Sequence, residues 1–532
     1  MNTTAVIGAG PAGLAAAKYL KQHGLAPTVF EQGDSVGGQW CGGAPYSGVW
    51  PNMFTNTSRL MTAFSDFPHR DERPVYATNQ HMHAYLQAYA RHFGLESDLR
   101  LSTRVVGLER TPSADGWQLT YQTGAEPERT ETFDRVAIAS GRYHKPRIPD
   151  VPGLDSFTGE GGVSHTFDYR GPAAYRGMNV LVAGGSISAL EIASDLAAQS
   201  AGAVISSQRR QRYVLSKLIA GVPVEHLAFN RFGALANESF PLDDVAREMK
   251  HFIVSTCGRP DQYGALAAPD SVLEAGITQS QNFLPFVAEG RIIAKPWIRG
   301  VRGRQVVFTD GTSLDVDALI FGTGFALDLP FLADSLTQPL ALDQEHIDLH
   351  AHTLHPDLPG LAFLGLYDIV GPAYPVLELQ ARWITYLWSG QRPMPADEEM
   401  RAGIEAYQAA RHLPQSVPMH LLAIQFARLA GVEPRLDEFP QLARELLFGP
   451  LCPISFRLSG PDALADAADG VAAAAALSGA VPEPDLAPEH TGQIQALASA
   501  RGDGELTRLL GALESVRRWR AAPDAGSAAG RP

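Results

Sequence analysis

A glycine-rich turn near the N-terminus carries the strongest chemical pattern in the sequence. Gly8, Gly10 and Gly13 follow a short apolar run and open a helical pattern that extends to His23. Such glycines permit a tight turn, close approach of a pyrophosphate and close helix packing, and the N–H groups that begin the helix attract the anion. Glu31 lies 23 residues after Gly8, where a carboxylate accepts hydrogen bonds from a ribose. The pattern predicts a dinucleotide site, because a ligand-free glycine turn would not explain the strand, the helix and the acid.

A second turn of the same kind begins at residue 184, but its fingerprint is degenerate. Gly185 follows the first glycine, whereas Ser186 and an alanine stand where the second and third glycines would be. Ser186 and Ser188 add hydroxyls that can donate to a phosphate at the start of a helix predicted over residues 187–199. We therefore predict a second nucleotide site, with Gly185, Ser186 and Ser188 beside its phosphates.

The residues after the next strand indicate which nucleotide this second site binds. Counting 23 residues from Gly184 reaches Ser207, so the second unit has no counterpart of Glu31. Arg209 and Arg210 follow instead. A carboxylate there would repel a ribose 2′-phosphate, whereas a guanidinium binds it. The pattern favours NADP(H) over NAD(H), and the alternative is an ordinary solvated basic cluster.

Short apolar strands must hold both turns in place. The sequence predicts strands over residues 3–7, 27–30, 135–139, 179–183, 203–207, 305–310 and 314–321. Two of them end in small residues, at Ser140-Gly141 and at Gly322-Thr323-Gly324. Such strand ends let the chain cross between two nucleotide domains and leave room for a flavin or a nicotinamide. Gly141 and Thr323 are therefore further candidate cofactor-binding residues.

These elements predict an α/β fold with two Rossmann-like dinucleotide-binding domains, the second inserted in the first. The first domain is expected to comprise residues 1–155 and 326–475, and the second residues 156–325. A mixed, mostly helical insert is expected at about 212–284. Residues 476–532 are expected to form a helical extension, with a Pro- and Glu-rich linker, one helix at about 505–520 and a disordered end.

Composition excludes several classes of protein. The chain has 532 residues and a net charge of -14, which argues against a nucleic-acid-binding surface. Its three cysteines are far apart, so neither a dithiol centre nor a zinc ribbon fits. No secretory signal or membrane-spanning run is visible, and a cytoplasmic protein is the expectation. The cluster His346, His350, His352 and His355 lacks a metal-ligand motif, so we predict no metal site.

Several further motifs point to one family. They are Gly37-Gly38-Gln39-Trp40, Thr55-Asn56-Thr57-Ser58 with the FSDFP run at 64–68, His144-Lys145-Pro146, Glu378 to Trp383, and Phe448 to Pro461. Together with both nucleotide turns they resemble the flavin-containing monooxygenases, a branch of the class B flavoprotein monooxygenases. The resemblance extends from residue 1 to about 475.

One family motif is matched with a departure. The motif FxGxxxHxxx(Y/F) corresponds to Phe157, Gly159, His165 and Tyr169, with two extra residues between the glycine and the histidine. Tyr169 stands where Baeyer–Villiger relatives carry tryptophan. The resemblance therefore favours oxygenation of a heteroatom over that of a ketone.

The resemblance also implies a mechanism. In this family NADPH reduces FAD, NADP⁺ stays bound, and dioxygen adds to give a flavin C4a-hydroperoxide that transfers one oxygen atom to a soft nucleophile. The resemblance thus implies FAD, NADP(H) and dioxygen, a small organic substrate with a nucleophilic nitrogen or sulfur, and possible homodimerisation.

The resemblance assigns roles residue by residue. Asn56 is expected to hydrogen-bond to the oxygenated flavin, although it could instead cap a turn. Gln39 and Trp40 are expected at the flavin end of FAD, and Val105 is expected to contact the adenine through its backbone. Gln380 is expected on a helix that reaches the isoalloxazine. Glu31 takes the FAD ribose.

Other functions remain as alternatives. Oxygenation of a ketone to an ester is the nearest one. A disulfide reductase would need a CxxC motif that is absent, and a ferredoxin reductase would need a basic docking face. A non-catalytic flavoprotein scaffold, which binds a partner through its insert or its tail, is the third.

Overall fold

In the computed structural model, residues 2–70, 74–199, 202–413, 415–478, 486–502 and 504–521 are described. A five-stranded parallel sheet surrounds the first glycine turn. Its strands, in spatial order, are Leu361–Phe363, Arg135–Ile138, Thr4–Ile7, Pro27–Phe30 and Leu99–Arg100. The central strand is wholly buried and apolar, as expected of a parallel sheet covered on both faces. We call it the first nucleotide sheet.

A second five-stranded parallel sheet surrounds the second turn. Its strands, in spatial order, are Ile292–Pro296, Val204–Gln208, Val180–Ala183, Ala318–Phe321 and Gly162–His165. All of its neighbouring strands run parallel. We call it the second nucleotide sheet.

The order of the strands along the chain confirms the predicted fold class. Every strand of the second nucleotide sheet lies between residues 162 and 321, after four strands of the first sheet and before its last strand. The chain crosses at two short paired strands, Lys145–Pro146 and Phe325–Ala326, which run antiparallel. The second nucleotide unit is therefore inserted in the first.

Smaller sheets complete the strands. Two antiparallel meanders comprise Thr103–Arg110, Trp117–Thr123 and Arg129–Phe133, and Ile298–Arg302, Gln305–Phe308 and Ser313–Asp315. Four further pairing strands are Tyr213–Leu215 with Ile277–Gln279 and Leu218–Ile219 with Val222–Pro223. Ile369–Val370 pairs with Val417–Pro418. The apolar run at 314–321, predicted as one strand, is split, because the chain leaves the meander after Asp315 and enters the second sheet at Ala318.

Sixteen α-helices pack around these sheets in the described ranges. They are Pro11–Gln22, Asn79–His92, Ile187–Gln199, Val224–Ala228, Arg231–Ser239, Leu242–Cys257, Val272–Ala275, Phe283–Ala288, Asp334–Thr337, Tyr374–Trp388, Asp397–Ala409, Met419–Ala430, Ala443–Phe448, Ala467–Ser478, Pro488–Arg501 and Gly504–Ala521. Every residue of Tyr374–Trp388 is buried, and this helix packs against Pro11–Gln22 on one side and Met419–Ala430 on the other. It forms the centre of the largest apolar core.

The C-terminal region differs from its prediction. The segment before residue 505 was expected to be a linker, but a helix spans Pro488–Arg501. It packs by a short apolar stripe, Ile494, Leu497 and Ala498, against a satellite core that includes residues of the insert. Such a short stripe is difficult to distinguish from a polar linker by periodicity alone. Residues 479–485 and 522–532, which were expected to include the linker and the disordered end, lie outside the described residues.

Two findings concern membranes and metals. Among the helices of the described ranges, none is both long and apolar enough to cross a membrane. In the same residues, no three histidine, cysteine, aspartate or glutamate side chains converge as a metal site.

Candidate functional site

A cavity of about 810 Å³ opens at the carboxyl edge of the first nucleotide sheet. Its lining follows four strands at the points where they end, which is where open α/β sheets bind ligands. The cavity brings together seven of the predicted site residues: Gly8, Gly10, Glu31, Gln39, Trp40, Val105 and Gly141. Its volume lies within the range of about 300–1,000 Å³ that is usual for ligand pockets.

The glycine turn is packed too tightly for side chains. Gly8 has φ of 106°, and a Cβ atom there would lie 2.5 Å from the carbonyl oxygen of Ala139. A Cβ atom on Gly13 would lie 1.9 Å from the carbonyl oxygen of Gly8. Gly13 does not line the cavity, and its position agrees with the packing role expected of it.

The helix that follows this turn presents its N-terminus to the cavity. Gly10, Pro11 and Ala12 line the cavity, and no side chain caps the helix. The first turn also carries no acidic residue. The unpaired N–H groups and the helix dipole therefore favour an anion such as a pyrophosphate.

Glu31 is a buried carboxylate at the cavity wall. Its Oε2 atom accepts a hydrogen bond from the Ala9 N–H at 2.8 Å, and its Oε1 atom accepts one from the Gly33 N–H at 2.8 Å. Burial raises the pKa of Glu31, while these backbone donors oppose the rise. A carboxylate accepts about four hydrogen bonds, so acceptor capacity is left for a ribose hydroxyl.

Val105 and Gly141 both line the cavity. Val105 belongs to the strand Thr103–Arg110, which has a β-bulge directly after it, between Val105 and Gly107. A bulge interrupts the strand pairing and redirects the local backbone, which suits a backbone contact to a ligand. Gly141 has φ of 78°, a conformation that a residue with a side chain seldom adopts.

Gln39 supports the cavity through its side-chain amide. Its Nε2 atom donates to the carbonyl oxygens of Tyr46 and Tyr143, at 3.1 and 2.8 Å, and its Oε1 atom accepts from the Gly48 N–H. The Gln39 amide thus joins two loops of the cavity wall. Trp40 lines the same wall and packs against the main core.

The residues of the cavity fit FAD. A bare glycine turn with an uncapped helix suits the pyrophosphate, and Glu31 suits a ribose. The aromatic side chains of Trp40, Tyr143 and Tyr367 supply flat apolar walls for a ring system.

Asn56 lies outside the cavity lining, on a segment held by long-range polar contacts. Its side chain is half-buried, and no hydrogen bond from its amide to another described residue occurs. The neighbouring Thr55 is fixed by the Ala77 backbone, to which it donates through its N–H and from which its Oγ1 atom accepts. The Asn56 amide is thus held in place through its neighbours and has unused hydrogen-bonding capacity.

The insert supplies the other contacts to this segment. The Lys217 ammonium donates to the carbonyl oxygen of Thr55 at 3.0 Å, and Glu225 Oε1 accepts from the Ser58 N–H at 2.5 Å. The Ser58 hydroxyl is 2.7 Å from His226 Nε2. All five side chains are buried. We call Lys217, Glu225 and His226 the insert clamp.

The insert clamp is electrostatically unusual. Burial lowers the pKa of Lys217, and the nearby carboxylates oppose this change. Burial raises the pKa of Glu225, and this change is opposed mainly by hydrogen bonds such as that from the Ser58 N–H, with a smaller contribution from the Lys217 charge. Glu225 Oε2 is buried without a hydrogen-bond partner. Sequence reasoning missed this cluster, because its partners are 162 to 168 residues apart and form no local motif.

The second glycine turn is also tight at its start. Gly184 has φ of 139°, and a Cβ atom on it would lie 2.2 Å from the carbonyl oxygen of Gly322. The Ser186 hydroxyl donates to that same oxygen at 3.3 Å, so it is engaged within the protein. Gly185 is half-buried, and Ser188 is exposed at the beginning of the helix Ile187–Gln199.

Arg209 and Arg210 lie exposed where the strand Val204–Gln208 ends. This is the same carboxyl edge at which the second turn begins, so the predicted phosphate residues converge on one edge. Thr323 follows the neighbouring strand of that edge. Its hydroxyl donates to the carbonyl oxygen of Arg147 at 2.6 Å, which joins it to the crossing segment rather than to the FAD cavity.

Gln380 is placed differently from its expectation. It is fully buried in the helix Tyr374–Trp388 and does not line the cavity. Its Nε2 atom donates to Thr353 Oγ1 and to the Phe363 carbonyl, while its Oε1 atom accepts from the Gly365 N–H and the Tyr367 hydroxyl. Because Gly365 and Tyr367 line the cavity, Gln380 supports the cavity wall from behind.

The family motif with the two extra residues forms the edge strand of the second sheet. His165 ends this strand, and its ring packs against Phe325 with 5.0 Å between centroids. Tyr169 is buried, with its hydroxyl donating to Asp195 at 2.7 Å and its ring against Trp50. The interval that holds the extra residues, between Gly159 and His165, comprises a glycine turn and most of this strand.

Comparison with known proteins decides the family. The model of the flavin-binding monooxygenase-like family matches residues 1–475. The chain belongs to this family. It is an FAD- and NADPH-dependent monooxygenase that uses dioxygen.

Individual relatives agree. Dimethylaniline monooxygenase (N-oxide-forming) 2 of Rattus norvegicus is 30% identical over 487 residues, which cover 87% of this chain and 89% of the relative. Flavin-containing monooxygenase 5 of Homo sapiens is 29% identical over 499 residues, covering 86% and 89%.

Solved structures share the fold. S-allyl-L-cysteine S-oxygenase from Allium sativum is similar with a TM-score of 0.60 at 23% identity, covering 81% of this chain and 88% of its own. Cyclohexanone monooxygenase from Rhodococcus sp. Phi1, bound to NADP⁺, gives a TM-score of 0.61 at 17% identity, covering 81% and 97%.

Proposed function

We propose that this enzyme transfers one atom of dioxygen to the nitrogen or sulfur of a small organic substrate, with NADPH as reductant. One observation carries the proposal: an FAD-sized cavity and a second nucleotide turn lie in a single chain, and none of the described residues that line the cavity is a cysteine. Without a dithiol beside the flavin site, electrons pass to a small acceptor. The N-oxide-forming relative and Tyr169 support nitrogen or sulfur over a ketone carbonyl.

The residues of the chain would divide the work as follows. Gly8, Gly10 and Glu31 would hold the pyrophosphate and a ribose of FAD, and Gly185, Ser188 and the arginines after residue 208 would hold NADPH. Bound FAD would supply the redox chemistry, since it accepts a hydride and activates dioxygen.

The polypeptide has to protect the reactive centre from water and hold a hydrogen-bonding group beside it. We assign that group to Asn56, whose neutral amide can donate and accept without a change of charge. The insert clamp fixes the backbone on both sides of Asn56 and so orients the amide in advance. No nucleophilic side chain of the protein is required.

Two further properties follow from the same reasoning. All three cysteines are free and buried, which suits a reducing compartment such as the cytoplasm. Homodimerisation is proposed from the family resemblance, and sedimentation analysis of the purified enzyme tests it.

Product analysis tests the reaction. The FAD-loaded enzyme, given NADPH and ¹⁸O₂, is offered N,N-dimethylaniline, methyl phenyl sulfide and cyclohexanone in parallel. We expect labelled N-oxide and sulfoxide by mass spectrometry, with one NADPH consumed per oxygen atom transferred. Labelled lactone as the main product would instead establish the ketone alternative. Absence of NADPH oxidation with every substrate would favour the non-catalytic scaffold, whereas NADPH oxidation that yields only hydrogen peroxide would contradict oxygen transfer to these nitrogen and sulfur compounds.

The role of Asn56 is tested separately. Asn56→Leu keeps the size of the side chain and removes its hydrogen-bonding groups, so product formed per NADPH should fall about tenfold while hydrogen peroxide rises. Asn52→Leu is the matched control, because Asn52 is exposed on the same loop. Unchanged coupling in Asn56→Leu would remove its assigned role.

A further inference from the structure

We propose that Trp297 is a positioning residue that holds Arg209 at the second nucleotide turn and thereby sets the preference for a coenzyme with a 2′-phosphate. The proposal rests on the proposed assignment of Arg209 to NADPH. Neither the glycine fingerprint nor the predicted phosphate residues include Trp297.

The geometry begins with the stacked pair itself. The guanidinium carbon of Arg209 lies over the indole ring of Trp297, 4.8 Å from the ring centroid. An arginine stacked on an aromatic face keeps its planar set of N–H donors free at the edge. Those donors are the groups that a phosphate binds in bidentate fashion.

The sheet places the two residues side by side. The strands Val204–Gln208 and Ile292–Pro296 run parallel, with Gln208 opposite Pro296. Arg209 and Trp297 are the next residues of each strand, so both leave the sheet at its carboxyl edge. The second glycine turn begins at the same edge, after the strand Val180–Ala183.

Trp297 is well anchored. Its carbonyl oxygen accepts a hydrogen bond from the Thr309 N–H at 2.9 Å, and its half-buried ring packs against the apolar core beneath the meander. Arg209 is exposed, and apart from stacking on Trp297 its side chain forms no hydrogen bond, ion pair or ring contact with the residues that the structure describes. The indole is therefore anchored in the protein, and it supports an exposed guanidinium.

Two observations indicate that the region around Arg209, at the carboxyl edge of the second nucleotide sheet, binds an anionic nucleotide. Neither Arg209 nor Arg210 forms an ion pair with a described carboxylate, so their charges are not neutralised within the chain. Gln208 is buried, and its Oε1 atom has no hydrogen-bond partner. A Cβ atom on Gly185 would lie 2.8 Å from that oxygen, so the unsatisfied acceptor faces the turn, where a ribose hydroxyl could donate to it.

The experiment measures binding rather than turnover. Isothermal titration of the FAD-loaded enzyme compares 2′,5′-ADP with 5′-AMP, which lacks the 2′-phosphate. Arg209→Ala should weaken 2′,5′-ADP about 30-fold and 5′-AMP less than about threefold. Trp297→Leu should weaken 2′,5′-ADP about tenfold, whereas Trp297→Phe, which keeps an aromatic face, should stay within about threefold of the parent enzyme.

Matched variants isolate the effect of stacking. Phe286→Leu removes another arginine-stacked ring of the same unit, under Arg291, and should leave both affinities unchanged. Trp297→Met also keeps apolar bulk without a ring face, and it should weaken 2′,5′-ADP to the same extent. It replaces Trp297→Leu in the comparison if that variant is poorly folded. In the Arg209→Ala background, Trp297→Leu should add no further loss, because the two residues act through one contact.

The possible failures are distinguishable. If Arg209→Ala leaves the affinity for 2′,5′-ADP unchanged, the phosphate assignment itself is wrong. If Arg209→Ala weakens 2′,5′-ADP but Trp297→Leu and Trp297→Met do not, Arg209 binds without help from Trp297 and this proposal is wrong. If Trp297→Leu weakens both ligands equally, Trp297 contacts the adenosine instead of orienting Arg209.

Discussion

Both nucleotide units have a five-stranded parallel sheet with the glycine-turn strand at its centre, but they differ in the charge and in the space around the turn. Both begin with a glycine whose Cβ atom would collide with a carbonyl oxygen of the neighbouring strand, at Gly8 and Gly184. At the third fingerprint position the first unit has Gly13, whereas the second has Ala189 with its methyl group between two glycines, Gly184 and Gly322. The tight start is thus common to both units, whereas the glycine that admits the helix differs: it lies on the helix in the first unit, at Gly13, and at the strand end in the second, at Gly322.

The two units also differ in the charged residues that follow the strand after each glycine turn. Glu31 ends its strand as a buried carboxylate, and backbone N–H groups hold both of its oxygens. Its counterpart Ser207 is buried and donates to Pro296, and the charged residues that follow are exposed arginines. In the first unit the acid at the cavity wall is buried and hydrogen-bonded within the protein, which suits a cofactor that stays bound. The second is open and basic, which suits a coenzyme that arrives, reacts and leaves.

The largest effect is expected where the two turns differ most in space. Gly13→Ala would place a methyl group 1.9 Å from the Gly8 carbonyl oxygen, and the helix would have to move away. We expect a loss of about 3 kcal/mol in the free energy of unfolding and loss of bound FAD. The reverse change in the second unit, Ala189→Gly, should cost only about 1 kcal/mol. Urea unfolding and flavin absorbance after gel filtration measure both, and equal losses would contradict the proposed difference in packing.

The next effect concerns charge. Glu31→Ala removes the acceptor for the Ala9 and Gly33 N–H groups and for the ribose, so FAD affinity should fall about 30-fold, while NADP⁺ affinity stays unchanged. Quenching of flavin fluorescence on titration into the apoprotein gives the dissociation constant. Glu128→Ala is the control, since Glu128 also lines the cavity but is exposed. A similar loss in that control would mean that cavity charge in general, rather than the placement of Glu31, holds FAD.

Sequence reasoning succeeded where the chemistry is local. The strand Pro27–Phe30 and the helix Ile187–Gln199 occur at their predicted bounds, because glycine turns and apolar runs define their ends within a few residues. The predicted FAD residues Gly8, Glu31 and Val105 line one cavity. Parallel strands bring their carboxyl ends to a single edge whatever the rest of the chain does.

Sequence reasoning failed where the contacts are distant. Gln380 is predicted as a cofactor-binding residue on a helix that reaches the isoalloxazine. The helix lines the cavity through Tyr374 and Leu377, but four hydrogen bonds hold the Gln380 amide behind the cavity wall, and no local pattern reveals that. Lys217 and Glu225 stand in a stretch without periodicity, and only the folded chain brings them to the Asn56 segment. Packing between distant segments decides which way a helix faces and where an insert lies. Such packing leaves no local periodicity in a single sequence.

The smallest predicted effect tests whether the two units work independently. The insert clamp belongs to the second unit but fixes the Asn56 segment of the first, so Lys217→Met or Glu225→Ala should release that segment without disturbing either nucleotide turn. We expect the hydrogen peroxide formed per NADPH to rise about fivefold and the amide exchange of residues 55–58 in the apoprotein to speed up, since buried polar contacts hold this backbone.

Lys217→Arg should restore most of the coupling, because it can still donate to Thr55. Lys250→Met is the matched control, as Lys250 pairs with Asp270 on the insert surface. If amide exchange accelerates while coupling stays intact, the clamp stabilises the fold but does not orient Asn56.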